Sequence, residues 1–461
     1  MSSQLEPSVG QMIILNSGTL SSKGNVQGRK VVLDIIEDAL EHVDCYNLTK
    51  NLMEFRNNLR IGSLIYDLRK VREIFVVGAG KQVTFVAAAI EDLLEDRICE
   101  GLVVEKRGWG CKTRRIAVVE GGHPIPDEDS VNGAQEIARI ARRAGEGDLV
   151  IVCVTGGCTS LAALPPKGVT LEEVREVFDL LLRSGAPLED MNTVRKHLSQ
   201  IGGGKLSMMV HPAETVGLIA VDELAGLPWG PTVPDTTTFS DAMHVLRRYD
   251  LYDKVPLSVM SYLERADPLE ETPKRSDFER NGVRARNLIF AENGMLCRAA
   301  EARAIELGMT GAIVSTSVEG EAKDVGAVLA SISREIESNA KPFQPPCILI
   351  AGGETTVSIT GDSGEGGRNQ ELALAAALKI AGSKRTVMAS IGTDGTDGPT
   401  DIAGAIVDGY TLRSASEVGI DLFEQLKRHD SSYVFRKLND AIYTGNTRTN
   451  LMDLMIVYVG K

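Results

Sequence analysis

Aromatic side chains are scarce in this chain, at 5% of residues with only 2 tryptophans. Proteins that hold single-stranded nucleic acid stack bases on aromatic platforms, and this composition does not supply one. A basic surplus is missing as well. The 50 Lys+Arg stand against 63 Asp+Glu, a formal net charge of −13, which argues against non-specific binding of DNA or RNA. No apolar run is long enough to span a bilayer, and residues 1–10 lack the basic start and apolar core of a signal peptide. The 7 cysteines (Cys45, Cys99, Cys111, Cys153, Cys158, Cys297 and Cys347) form no C-x-x-C pair. An odd, scattered set fits reduced thiols in a cytoplasm and not a zinc site. The expectation is a cytoplasmic protein with no membrane or nucleic-acid partner.

Glycine, by contrast, is abundant at 46 residues, and a length of 461 residues allows two or three domains. Glycine-rich loops with few aromatics suit tight turns around phosphates. The polar residues 1–28 read as an N-terminal arm. Helices are expected over Val31–Val43, Leu48–Leu59, Thr84–Leu94, from a Ser130 cap through Ala144, and over 171–183. Strands are expected at Ile74–Val77, Leu102–Val104, Ile116–Val119, Leu149–Val154 and Val216–Val221. The charged stretch around 266–281, which contains Pro268 and Pro273, reads as a junction between domains. A second block follows, with helices at 294–307 and about 320–337 and strands near Ala312–Ser315, 347–350, Val387–Ile391 and Leu454–Val459. Strands alternating with helices predict α/β domains with parallel pairs.

Three strand ends feed glycine-rich loops: Gly78-Ala79-Gly80-Lys81, Thr155-Gly156-Gly157-Cys158-Thr159-Ser160, and Gly352-Gly353-Glu354. In an open α/β sheet, ligands sit at the carboxyl ends of the strands. The first loop is neither a Walker A motif nor G-x-G-x-x-G, since Gln82 and Val83 stand where Ser/Thr and glycine would be needed. Its lysine can still neutralise developing phosphate charge. Beyond Glu354, Val357 and Ile359 alternate like a strand. Asn369 then caps the helix Glu371–Ile380, which places Arg368 and free backbone N–H groups at a helix N-terminus, an anion site. The same residues also fit a glycine-rich hairpin with an exposed arginine. In Gly392–Asp401, Asp394 and Asp397 can bind magnesium or orient a hydroxyl nucleophile, or simply form Asx turns. His123 in its loop, and Lys196-His197 before Gly202-Gly203-Gly204-Lys205, are candidate substrate contacts. Solvated loop and helix-end residues are the plainer alternative.

Taken together, these pieces resemble the glycerate 2-kinase family of the two-domain class with a C-terminal MOFRL domain. The matching residues are Gly78–Lys81, Gly121–Asp127, Lys196-His197-Leu198-Ser199, Gly230–Asp235, Gly352–Thr356, Gly366–Glu371, Gly392–Asp401 and Thr444–Asn450. Some members of that family carry the label hydroxypyruvate reductase. The resemblance implies two α/β domains with largely parallel or mixed sheets, helices packed on them, and an active site in the interdomain cleft. The domains would be a Rossmann-like one over 29–265 and a MOFRL-type one over 282–461. It also implies transfer of the γ-phosphoryl of ATP to the 2-hydroxyl of D-glycerate with a divalent metal, here Mg2+. Lys81, Arg368 and Asp394 would be catalytic. Gly78, Gly80, Thr155, Gly156, Gly157, Ser160, Gly353 and Glu354 would hold the nucleotide. His123, Lys196, His197, Asn369 and Arg448 would meet the hydroxy acid, and Asp394 with Asp397 the metal. A homodimer is compatible with this picture. The chain departs from the family pattern at Thr155–Ser160, at Gly202 where the family has lysine, over 220–226, and at Asn446 and Arg448. Two rival readings follow: a hydroxypyruvate reductase using NAD(P)H, and a non-catalytic paralogue that binds a metabolite.

Overall fold

The runs Ile74–Ala79 and Leu149–Val154 are apolar throughout and buried at every position, as expected of central strands in a parallel sheet covered on both faces. In the computed structural model, which describes residues 13–220, 229–359 and 361–461, they do lie side by side. The chain divides into two compact units.

One unit comprises Asp44–Glu292 with Arg448–Leu451. After the helix Cys45–Leu52 comes a small antiparallel meander of β1 (Met53–Phe55), β2 (Leu59–Ile61) and β3 (Leu64–Tyr66). Its main sheet contains β4 (Ile74–Ala79), β5 (Ile98–Lys106), β6 (Ile116–Gly121), β7 (Leu149–Val154), β8 (Glu214–Ala220) and β9 (Arg284–Ala291). The six strands run in the order β6-β5-β4-β7-β8-β9, and every pair is parallel. Counted along the chain this is 3-2-1-4-5-6, the Rossmann order, with its topological switch point between β4 and β7. Helices bring their own caps. Asp127 and Ser130 form a reciprocal capping box at Glu128–Arg143, Thr170 and Glu173 do so at Leu171–Arg183, and Thr238 and Asp241 at Phe239–Arg248. Ser130 is thus the third helical residue and Asp127 the cap.

The other unit holds the described residues up to Val43, then Asn293–Thr447 and Met452–Lys461. Its strands are β10 (Thr310–Val318), β11 (Cys347–Gly353), β12 (Thr386–Gly392), β13 (Gly404–Asp408), β14 (Ala441–Ile442) and β15 (Asp453–Val459). The order is β10-β11-β15-β12-β13-β14. Only β10 and β11 are parallel; β15 is antiparallel to both of its neighbours, so the sheet is mixed. A core that includes Leu349, Leu372, Met388 and Val457 fills it.

Several expectations are corrected. The arm expected over 1–28 is packed where it is described: Ile14 and Leu20 are fully buried, and the helix Val26–His42 starts on an Asn25 cap. Arg29, 1% exposed, is held by Asp408 at 2.6 Å and Asp440 at 2.7 Å, which ties this helix to the ends of β13 and the segment before β14. Residues 1–12 lie outside the described residues. The stretch 266–281 is part of the first unit and not a junction, because Thr272 is fully buried and β9 still follows in the same sheet. The helix expected to Leu59 ends at Leu52 and gives way to the meander. Thr356 makes only an isolated bridge to Glu321, so no strand covers Val357 and Ile359.

Candidate active site

The candidate residues fall into two sets, one on each unit. In the first unit, Gly78, Gly80 and Lys81 leave β4 at the switch point, and Thr155, Gly156 and Gly157 leave β7 beside them. The two loops are stitched together: Thr155 N–H donates to Ala79 O at 3.2 Å, and Lys81 N–H donates to Gly156 O at 2.8 Å. Gly80 has φ +138°, and a Cβ there would lie 2.1 Å from Thr155 Oγ1, so only glycine permits this approach. His123 arrives from the loop after β6, so that a Cβ at Gly157 would lie 2.6 Å from its ring. The sequence therefore brought together Gly78, Gly80, Lys81, His123, Thr155, Gly156 and Gly157. Ser160 is buried in the short helix Cys158–Leu161 that follows.

Sequence reasoning missed Glu105, at the end of β5. Its carboxylate sits at the N-terminus of the helix Val83–Leu94. Gln82 N–H donates to Oε1 at 2.9 Å, and Thr84 N–H and Oγ1 donate to Oε2 at 3.2 and 3.1 Å. Glu105 is fully buried, and burial pushes its carboxyl up to about 7 against the lowering effect of those N–H groups. A dinucleotide pyrophosphate would need this helix end, and the protein's own carboxylate occupies it. The signal was present as a lone acid in the apolar run Leu102-Val103-Val104-Glu105.

Lys196 and His197 end the helix Leu188–His197 in a second cluster of the same unit. Lys196 pairs with Asp235 at 2.7 Å. His197 is fully buried, so it cannot be the direct substrate contact expected of it. Lys205 donates to Ser199 O at 2.9 Å; burial lowers its ammonium to about 8 beside Glu270, Glu271 and Asp235. Arg448 lies against the Phe85 ring at 5.3 Å and 3.6 Å from Asp44.

In the second unit, the ends of β11 and β12 flank the start of β15: Asp453 is in register with both Gly353 and Gly392. Here Arg368, first residue of the helix Arg368–Lys379, makes a two-pronged bond to Asp453, 2.7 Å from Nε to Oδ2 and 3.0 Å from Nη2 to Oδ1. Its Nη1 meets Glu354. Burial disfavours the guanidinium charge, but Asp453 and Glu354 outweigh it and hold the group well above its ordinary range.

The helix N-terminus expected to be a free anion site is filled. Asp397 Oδ1 accepts from Asn369 N–H and Nδ2, at 3.1 and 3.2 Å, and Oδ2 from Gln370 N–H and Nε2, at 2.9 and 3.0 Å. Gly367, not Asn369, is the cap residue. Asn369 is instead fastened inside, also donating to Asp453 at 2.9 Å and accepting from Ser390 Oγ at 2.6 Å, which corrects its place as a substrate contact. With four accepted bonds Asp397 has no lone pair left for a metal, and burial with the nearby Asp453 raises its carboxyl to about 6. Asp394 accepts from Thr396 N–H at 2.9 Å in an Asx turn and is 5% exposed. Among the described residues no group of three or more His, Cys, Asp or Glu is arranged to hold a metal ion. Asp453, the other residue missed, was signalled by an acid heading the apolar strand Leu454–Val459.

Comparison with known proteins decides the family. Residues 31–264 match the model described as domain of unknown function (DUF4147), and residues 347–453 match the MOFRL family. The chain is 40% identical over 437 residues to the glycerate 2-kinase of Pyrococcus horikoshii, covering 94% of this chain and 97% of that one. The chain belongs to the glycerate kinase family. A crystal structure of glycerate kinase from Thermotoga maritima superposes with a TM-score of 0.75 at 35% identity, covering 93% of this chain and 99% of that chain. A relative from Agrobacterium vitis, 37% identical over 84% of this chain and 99% of its own length, bears the family's other label, putative hydroxypyruvate reductase. Family membership makes this a phosphotransferase of the glycerate kinase type, built on two α/β units.

Proposed function

We propose that this enzyme transfers the γ-phosphoryl of ATP to a hydroxyl of a small hydroxy acid, D-glycerate, giving 2-phosphoglycerate. The observation that carries the reading is near-full-length likeness, at 40% identity, to a protein named glycerate 2-kinase. Lys81 serves as the cation for the transferring phosphoryl; its turn is fixed by Lys81 N–H on Gly156 O and Gln82 N–H on Glu105. Phosphoryl transfer asks mainly for positioning and charge stabilisation, which a rigid turn with one lysine suits. Gly78, Gly80 and Thr155–Gly157 approach the nucleotide, His123 and Lys196 the acid.

Arg368 is proposed as the second basic residue. On formal charges it stands among Asp453, Glu354 and Asp397, an excess of carboxylate that would repel a bare phosphate. That excess supports a divalent cation, Mg2+, arriving with the nucleotide, since magnesium is commonly held by one or two carboxylates plus phosphates. Asp394 would hold it; when bound it would neutralise phosphate charge. Asp397 does not fit that part.

The reductase alternative is disfavoured by Glu105, whose carboxylate fills the helix end a dinucleotide would use. Among the described residues no helix is long and apolar enough to cross a membrane; a cytoplasmic location is part of the proposal. The test is 31P NMR of a mixture with magnesium-ATP and D-glycerate. A new monoester resonance at the 2-position is expected; oxidation of NADH with hydroxypyruvate in its place would overturn the reading.

A further inference from the structure

His197 has an acceptor on each side. Its Nδ1 lies 2.7 Å from the carbonyl oxygen of Thr193, and its Nε2 lies 2.9 Å from Glu271 Oε1. A carbonyl and a carboxylate only accept, so this geometry suits a ring with hydrogen on both nitrogens. The ring is fully buried and packs on Phe239 at 5.2 Å, which holds its plane. The charged groups around it come from several segments. Asp235 Oδ2 is 3.9 Å from Nε2, Lys196 is paired with Asp235, and Lys274 is 3.6 Å from Glu271; Asp241 also feels its charge. Lys205 feels the charges of Asp235 and Glu271. Thr272 Oγ1 stands between the two acids, 2.8 Å from Asp235 Oδ2, 3.1 Å from Glu271 Oε1 and 3.3 Å from His197 Nε2.

We propose that His197 is a positioning residue for the substrate acid: as a buried imidazolium it fixes Glu271 and Thr272, these fix Asp235, and Asp235 fixes the partly exposed ammonium of Lys196. The chain of contacts explains why a histidine next to a substrate lysine is wholly out of reach of solvent. It rests on the reading of Lys196 as a contact of the hydroxy acid.

Two measurements test it. Proton–nitrogen NMR of the native protein near neutral pH, with His197 assigned by its loss in His197→Gln, should show both ring nitrogens protonated; a ring with one bare nitrogen overturns the inference. In steady-state kinetics His197→Gln should raise KM for D-glycerate about tenfold, with little change in kcat or in KM for ATP, because misplacing one cation weakens binding of that substrate alone. Lys196→Ala is run beside it. If Lys196→Ala raises KM for glycerate and His197→Gln does not, the positioning role is wrong and the Lys196 reading stands. If Lys196→Ala leaves KM unchanged, the Lys196 reading itself has failed, and this inference with it. A fall in kcat together with both KM values in His197→Gln marks a merely structural histidine and overturns the proposal.

Discussion

Arg368 faces two tasks that a single substitution would mix. It neutralises Asp453, which is fully buried, and it is proposed to meet the phosphoryl group. Removing one partner of a buried pair strands the other, at a cost of about 3–5 kcal/mol. Arg368→Ala should therefore lower stability in urea by that order and lower turnover about 100-fold. Adding Asp453→Asn should restore much of the stability and none of the turnover. Near-native turnover in the single variant would take Arg368 out of the chemistry. Glu105 gives a residue-scale prediction in pH. Its folded carboxyl, pushed to about 7, lies above the unfolded value of ~4.3. A raised acid stabilises the fold fully below the unfolded value and loses that contribution as pH rises through the folded one. The loss between about pH 4 and pH 8 is on the order of 3 kcal/mol. Glu105→Gln should flatten this part of the stability profile; native and variant profiles that stay parallel would contradict it. Lys81 and Arg368 could be read from the sequence because each stands beside glycines. The carboxylates that hold their surroundings were harder to read: Glu105, which binds the Gln82 and Thr84 amides, and Asp453, which binds Arg368, each stand as a single acid beside an apolar run.

Helix starts divide by where their caps come from. Those capped within a few residues, by Asp127, Thr170 and Thr238, follow local rules that a sequence reveals. The two helices that matter most for the site are capped from a distance, by Glu105 and Asp397, and a sequence reading takes the second of them, at Arg368–Lys379, for an open anion site. Asp397→Asn removes one of the two acceptors that hold the first turn of Arg368–Lys379, at a cost of about 1–2 kcal/mol. Hydrogen exchange should quicken at the Asn369 and Gln370 amides while the rest of that helix stays protected. Unchanged exchange at these two amides would mean that Asp397 is no cap. The loop after β12 was legible as an acidic turn, but its burial was not. At Gly395, φ +91°, a Cβ would lie 1.9 Å from Gly445 O. That contact joins residues far apart in sequence, so no local pattern announces it.

At the scale of the whole chain, the strongly apolar strands pointed to the α/β class and the glycine loops at three strand ends to candidate ligand sites; that two of them, after β4 and β7, meet at the switch point came only with the strand order. The division into units was harder to read. The helix Val26–His42 belongs to the unit that otherwise begins at Asn293, and Arg448–Leu451 returns to the unit that otherwise ends at Glu292. Charge-rich, proline-bearing sequence looked like a junction at 266–281, yet Thr272 and the Lys274 cluster put that stretch inside the first unit. The central claim is that the Lys81 turn, built on the Rossmann-ordered sheet, serves phosphoryl transfer to a hydroxy acid. The most direct measurement is ADP release from magnesium-ATP with D-glycerate, native chain against Lys81→Ala. The account predicts glycerate-dependent release that falls at least about 100-fold in the variant, as loss of a transition-state charge partner requires. Equal release by the two proteins, or none from the native chain with glycerate or related hydroxy acids, would contradict it.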